Sequence, residues 1–210
     1  MKILSPNINT IIDGHLITLK PISIKEINEN YVSWLNDNQI NQFLEVRNNQ
    51  QTIEDIANYV NGLRSRSGCE LFAIFTKQDN RHVGNIAISN FNLNSNYAEY
   101  GLLIGNIQLH KSGLAAEATI LLLEYLFQYV NVHKVIAHST ADNQPASKLI
   151  EHLGFTQEGT LRKQFILSSG KIVDVYCYGL LREEWLEGRG RLSNILEYFK
   201  ITELDSNHLK

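Results

Sequence analysis

The chain has 210 residues, 43% apolar and 20% charged, which supplies one ordinary hydrophobic core and does not read as a disordered chain. With 19 basic and 22 acidic residues the net charge is −3, which argues against a broad nucleic-acid or anionic-membrane surface while leaving room for a local basic pocket. No run reaches the length of a membrane span. The start "MKILSPNINTIIDG" lacks the apolar core and cleavage site of a signal peptide, and Cys69 and Cys177 stand apart as reduced thiols, so a cytoplasmic protein is expected.

In chain order, "HLITLKPI" (15–22) alternates apolar and polar residues and predicts a strand. "SIKEINENYVSWLND" predicts a helix capped by Ser23, with Glu26 completing a capping box. A second helix is predicted over Thr52–Arg66, capped by the Thr52 hydroxyl, with Ile53, Ile56, Ala57, Val60 and Leu63 on one face. Three strand-like runs follow, at 70–77, 82–91 and 97–105, joined by turns short enough for an antiparallel meander.

Leu114 to Val130 is almost wholly apolar and predicts a helix buried on most of its surface. A strand is expected at 134–140. "NQPASKLIEHLGF" then predicts a helix with Asn143 as cap, Pro145 in the first turn and Gly154 as stop. A hairpin around "SSG" and a closing helical segment containing Trp185 complete the chain, with the last ten residues loose. The Trp185 segment reads either as a homodimer interface or as an element that closes the sheet. The fold class is α+β, with a mixed, mostly antiparallel sheet of about seven strands flanked by helices. Residues 1–13 read as an extension, 14–186 as a single domain and 187–210 as a C-terminal helix and tail.

Gly113 lies between a strand and the long apolar helix, so the amides around it sit at a helix N-terminus, where unpaired N–H groups and the helix dipole favour an anion. The stretch His110, Lys111, Ser112, Gly113, Leu114, Ala115 is not a Walker loop, because its glycine comes after the Lys-Ser pair. The seven histidines show no HExxH or paired spacing, so no metal is expected.

One strand after that helix comes "NQPASKLIEHLGFTQEGTLR". With "HKSGLA" upstream, "AEYG" at 98–101 and "DVYCYGLLREEW" at 174–185, it resembles the GNAT superfamily of acetyl-CoA-dependent N-acetyltransferases over about residues 14–186. The likeness is greatest to the Rim-type branch, the ribosomal-protein and amino-sugar N-acetyltransferases. One departure is His110, where the family's loop carries Arg or Gln.

The resemblance implies a splayed strand pair, 97–104 and 134–140, with pantetheine between them and its amides on the edge near Leu103, Ile104 and Gly105. It places the pyrophosphate on the amides of Lys111, Ser112, Gly113, Leu114 and Ala115, beside His110. Asn143 would reach the pantetheine arm, and Lys148 the ribose phosphate. Acetyl-CoA is the implied cosubstrate, without a metal. Attack by a primary amine on a thioester requires the ammonium to lose a proton and the leaving thiolate to gain one. Glu99, on one strand face with Gly101 and Leu103, is the candidate base, and Ser147 the candidate acid. The tyrosine that many GNAT enzymes carry in this helix would fall at Ile150, with Tyr176 and Tyr178 as further donors. "YVSWLNDNQINQFLEVR" resembles the acceptor-binding part, with Trp34 and Phe43 lining the cleft and Arg47 pairing with an acceptor phosphate or carboxylate. The acceptor is then a small-molecule or peptide amine, an amino-sugar nucleotide or a protein N-terminus, with no nucleic-acid or membrane partner. A GNAT-fold module that holds acyl-CoA without turnover is the other reading.

Overall fold

The computed structural model describes Pro6, Asn7 and residues 9–201. The start of the expected N-terminal extension and nearly all of the expected loose tail lie outside the described residues. Short strand β1 (Ile12–Asp13) turns back into β2 (Ile17–Pro21), followed by helices α1 (Glu29–Asn36), α2 (Asn38–Asn41) and α3 (Ile53–Arg64). The meander β3 (Glu70–Thr76), β4 (His82–Asn92) and β5 (Tyr97–Ile104) leads into α4 (Leu114–Glu124). Then come β6 (Lys134–Thr140), α5 (Gln144–His152), the hairpin β7 (Thr156–Ile166) and β8 (Ile172–Leu181), and two closing helices, α6 (Arg182–Gly188) and α7 (Ser193–Tyr198). All eight strands form one sheet in the order β1-β2-β3-β4-β5-β6-β8-β7, and β5–β6 is its one parallel pair. The eighth strand is the two-residue β1, too short to leave a periodic trace in sequence.

Local chemistry explains most element ends. Thr52 and Asp55 form the reciprocal capping box of α3, and Asn143 accepts from the Ala146 amide at the start of α5. The Ser23–Glu26 pair forms, since the Ser23 amide donates to the Glu26 carboxylate at 2.8 Å, but it closes a turn. The helix starts six residues after Ser23 instead, capped by Asn28, whose Oδ1 accepts from Asn30 and Tyr31. The long apolar segment is α-helical only to Glu124 and widens to a π-turn over Tyr125–Val130.

That end of α4 is where the C-terminal segment docks. The fully buried Glu124 carboxylate accepts from the Trp185 indole at 3.0 Å and meets Arg189 and Gln128. Trp185 is 1% exposed and stacks on Phe127, so within this chain it closes the sheet. Leu192, Leu196, Phe199 and Ile201 join the same core cluster as the helices and the sheet.

At the other end of α4, the buried Glu117 accepts from the amides of His15 and Leu16 and pins the β1–β2 turn. Burial raises its pKa from the ordinary 4.5 to about 7, against the lowering effect of those amides and Lys77. A carboxyl with a raised folded-state pKa holds its proton in the native state after the unfolded state has lost it. Stability from this group is therefore present below pH 4.5 and lost as pH rises towards 7. Glu117→Gln should remove that slope. Between pH 4.5 and 7 the variant should gain about 3 kcal/mol relative to the native chain, read from paired denaturant titrations. Parallel pH profiles for the two chains would refute this.

Candidate active site

The site is set by where β5 leaves β6. Their parallel pairing covers only Tyr97–Glu99 against Lys134–Ile136, whereas β6 pairs with β8 along its whole length and β5 with β4 to Ile104. Beyond Glu99 the two strands diverge, leaving backbone groups on the β6 side of β5 without a strand partner. The Gly105 amide donates to Val83 at 2.8 Å. Antiparallel alternation therefore turns the backbone groups of Leu103 and Gly101 towards β4 as well, and those of Leu102 and Ile104 towards the opening. Of the three edge residues expected from sequence, only Ile104 faces the gap with its backbone. Leu102 takes the place foreseen for Leu103.

The opening leads to the start of α4. Gly113 has φ +85°, a left-handed conformation that non-glycine residues rarely adopt, and no side chain caps the helix. The first-turn amides of Leu114, Ala115 and Ala116 thus have neither an intrahelical acceptor nor a side-chain one. One amide of the expected cradle is used within the loop, since Ser112 N–H donates to Leu109, and the His110 N–H beside it donates to Ile107, each at 3.1 Å. The amides that follow Gly113 stand open at the helix start, with the exposed Lys111 beside them. His110 turns its ring to the Ile104 carbonyl, Nε2 to oxygen 3.1 Å. The residue that departs from the family's loop pattern thereby meets the one expected edge residue whose backbone faces the gap.

Glu99 stands at the fork. Its Oε1 lies 3.3 Å from Nδ1 of His138 on β6, and both side chains are about one-third exposed, 32% and 37%. Cys177 of β8 opposes His138, and Gly159 of β7 opposes Cys177, so the four share one face of the sheet. Gly101, on the same face, is exposed, and a β-carbon there would meet nothing within 4 Å, so the space above it is open. On this face too the Trp34 ring covers Gly105 so closely that a β-carbon at 105 would fall within the indole. Trp34 is 6% exposed and packed on Tyr31 and His82, which makes it a wall of the core beside the opening. Phe43 is half-buried.

Arg47 does not present a free guanidinium to an acceptor. Its Nε donates to the Ile166 carbonyl at 2.7 Å, its Nη1 to Leu44 at 2.8 Å and to Glu45 at 3.3 Å, and it lies 3.6 Å over the Phe165 ring. With a side chain only 6% exposed, it ties the loop after α2 to the far end of β7. The sequence expectation fails because spacing along the chain cannot reveal that the tip of the hairpin folds back over this loop.

Ser147 lies on the opposite side of the sheet from Glu99. It is 4% exposed and its Oγ bonds Ser139 Oγ at 3.2 Å, and Ser139 alternates with His138 along β6. Tyr178, also on that side and fully buried, donates to Glu151 at 3.1 Å. Ile150 is a core residue, and Lys148 is exposed on the outer face of α5. The neighbour of Glu99 that spacing along the chain does not reveal is His138. In sequence it is one of four polar residues in "KVIAHST", with nothing local to link it to Glu99.

Residues 17–156 match the family model described as "Acetyltransferase (GNAT) domain", two-thirds of the chain, and the protein belongs to that family. Its relatives include an uncharacterized N-acetyltransferase, p20, of Bacillus licheniformis, 29% identical over 62% of this chain and 72% of that one. The [ribosomal protein uS5]-alanine N-acetyltransferase of Escherichia coli is 26% identical over 62% of this chain and 66% of its own. A structure of spermidine N-acetyltransferase from Vibrio cholerae in complex with CoA and spermine has the same fold, with a TM-score of 0.72. It shares 21% identity over 81% of this chain and 98% of that one. The protein is an acyltransferase with the GNAT fold. Among the described residues, no helix is long and apolar enough to cross a membrane.

Proposed function

We propose that the chain transfers the acetyl group of acetyl-CoA to a primary amine by direct attack, in a complex that holds both substrates at once. The observation that carries this reading is the fork itself. β5 parts from β6 at Glu99, and the gap leads to a helix start whose free amides follow a left-handed glycine. The backbone groups of Leu102 and Ile104 suit the amides of a pantetheine arm. The amides of Leu114 and Ala115 suit a pyrophosphate. The thioester carbonyl supplied by acetyl-CoA is the electrophile. Glu99 is the carboxylate whose charge drives loss of the amine's proton, and Ser147 is the acid that the family resemblance suggests for the leaving thiolate.

Direct attack is favoured over an acyl-cysteine because burial, Glu158 and Glu99 all push the Cys177 thiol up, away from the nucleophilic thiolate. Initial rates with both substrates varied should give intersecting double-reciprocal lines, and mass spectrometry should find no acetylated Cys177. Parallel lines together with an acetyl adduct on Cys177 would refute direct attack.

The acceptor class is read from the relatives, one named for spermidine and one for the alanine of a ribosomal protein. The test is thiol release from acetyl-CoA with spermidine, a peptide beginning with alanine and a UDP-amino sugar. Turnover of one class well above the hydrolysis background supports the enzyme. Acetyl-CoA binding without turnover of any amine would establish a binding module instead.

A further inference from the structure

We propose that His138 is a catalytic residue of this transfer, taking the amine's proton on Nε2 while Glu99 holds its Nδ1. This rests on the acetyl-transfer reading above and adds to it a specific acceptor for the proton. The geometry has three parts. Glu99 Oε1 and His138 Nδ1 are 3.3 Å apart, which engages one ring nitrogen. Among the described residues no hydrogen bond is made by the other nitrogen, Nε2, on a side chain that is 37% exposed. The pair also lies where β5 and β6 separate, beside the open space above Gly101. A partly exposed pair of this kind contributes only about 0–1 kcal/mol to stability, so stability alone does not account for placing it at the fork.

The charged and titratable groups around the imidazole are few. Glu99 faces it from β5 and Cys177 from β8, and Glu158 of β7 lies further along the same face, paired with Lys134 of β6 at 2.7 Å. Glu99 raises the imidazole pKa above its ordinary 6.5 through the hydrogen bond and its charge, while partial burial pulls it down. A base in this position combines useful basicity with access to the cleft.

The step balances as follows. The ammonium gives one proton to Nε2, and the freed lone pair forms the C–N bond at the thioester carbonyl. The C–S bond breaks with its electron pair on sulfur, and the second nitrogen-borne proton reaches that sulfur. Ammonium and thioester thereby become amide, thiol and one proton, which His138 returns to water.

Because the imidazole must be neutral to act, activity should rise with pH through a value above 6.5. Glu99→Gln should move that limb to lower pH. The first measurement needs no acceptor: NMR titration of the imidazole resonances in the native chain and in Glu99→Gln. A His138 pKa that falls in the variant supports the pair, and one that stays in place overturns it. The second uses the amine panel above. His138→Gln should lower kcat/KM for the amine by about 100-fold or more, flatten the acidic limb and leave acetyl-CoA affinity unchanged. A variant with the native rate and pH profile overturns the proposal. His138→Asn serves where the glutamine variant does not fold, with thermal melting to establish the fold of each. Failure of the acetyl-transfer reading is distinguishable, because the native chain itself would then turn over no amine, and the catalytic role of His138 would fall with it.

Discussion

Glu99→Gln is expected to lower kcat by about 100-fold to 10,000-fold while leaving acetyl-CoA affinity near its native value. The substitution keeps the side chain's shape and its place in the strand, where Glu99 pairs with Ile136 on one side and Asn90 on the other. It removes only the charge, which lies 3.3 Å from the His138 imidazole and beside the open space above Gly101. Whether the proton passes to the carboxylate or to the histidine it holds, the developing positive charge on the amine loses its stabilising anion. Stability should change by less than about 1 kcal/mol, as for other partly exposed pairs. Steady-state kinetics with acetyl-CoA and the productive amine, beside isothermal titration with acetyl-CoA alone, separate the two effects. A variant that loses affinity in proportion to rate would make Glu99 a binding residue.

Gly113→Val should weaken acetyl-CoA binding by about tenfold or more, and Gly113→Ala should fall between valine and the native chain. Collision is not the cause. A β-carbon at 113 would approach Phe199 no closer than 3.6 Å, an ordinary contact. The cost comes from φ +85°, where a side chain is strained by about 1–2 kcal/mol and a β-branched one by more. A chain relieving that strain rotates the peptide leading into Leu114 and turns the first amides of α4 away from the gap. Binding measured by titration with acetyl-CoA, alongside thermal melting, tests this. Unchanged affinity in a folded Gly113→Val would move the pyrophosphate seat elsewhere.

Much of this was legible in the chain, for identifiable reasons. The caps at Thr52 and Asn143 are local hydrogen bonds between residues three apart, so sequence spacing reports them directly. The meander of β3, β4 and β5 follows from short turns and period-two apolar runs. The helix start at Gly113 was visible because glycine and an apolar run are adjacent in sequence, and its left-handed backbone is a one-residue property. Ser23 misled because its pairing with Glu26 is real but closes a turn, and a pattern of residue types does not distinguish the two.

What the sequence by itself determined is therefore the elements, their order and a glycine-led helix start, each specified by residues within a few positions of one another. The tertiary structure alone decided which side chains meet. His138 joins Glu99 because β6 follows a crossover helix back to the side of β5, 39 residues along the chain. Arg47 is spent on Ile166, 119 residues away, because the last hairpin curls over the loop that carries it. Ser147 and Glu99 occupy opposite faces because adjacent strand residues point to opposite sides of the sheet. Contacts of this kind depend on strand register and on the gap between β5 and β6, and neither is encoded in any short stretch of sequence.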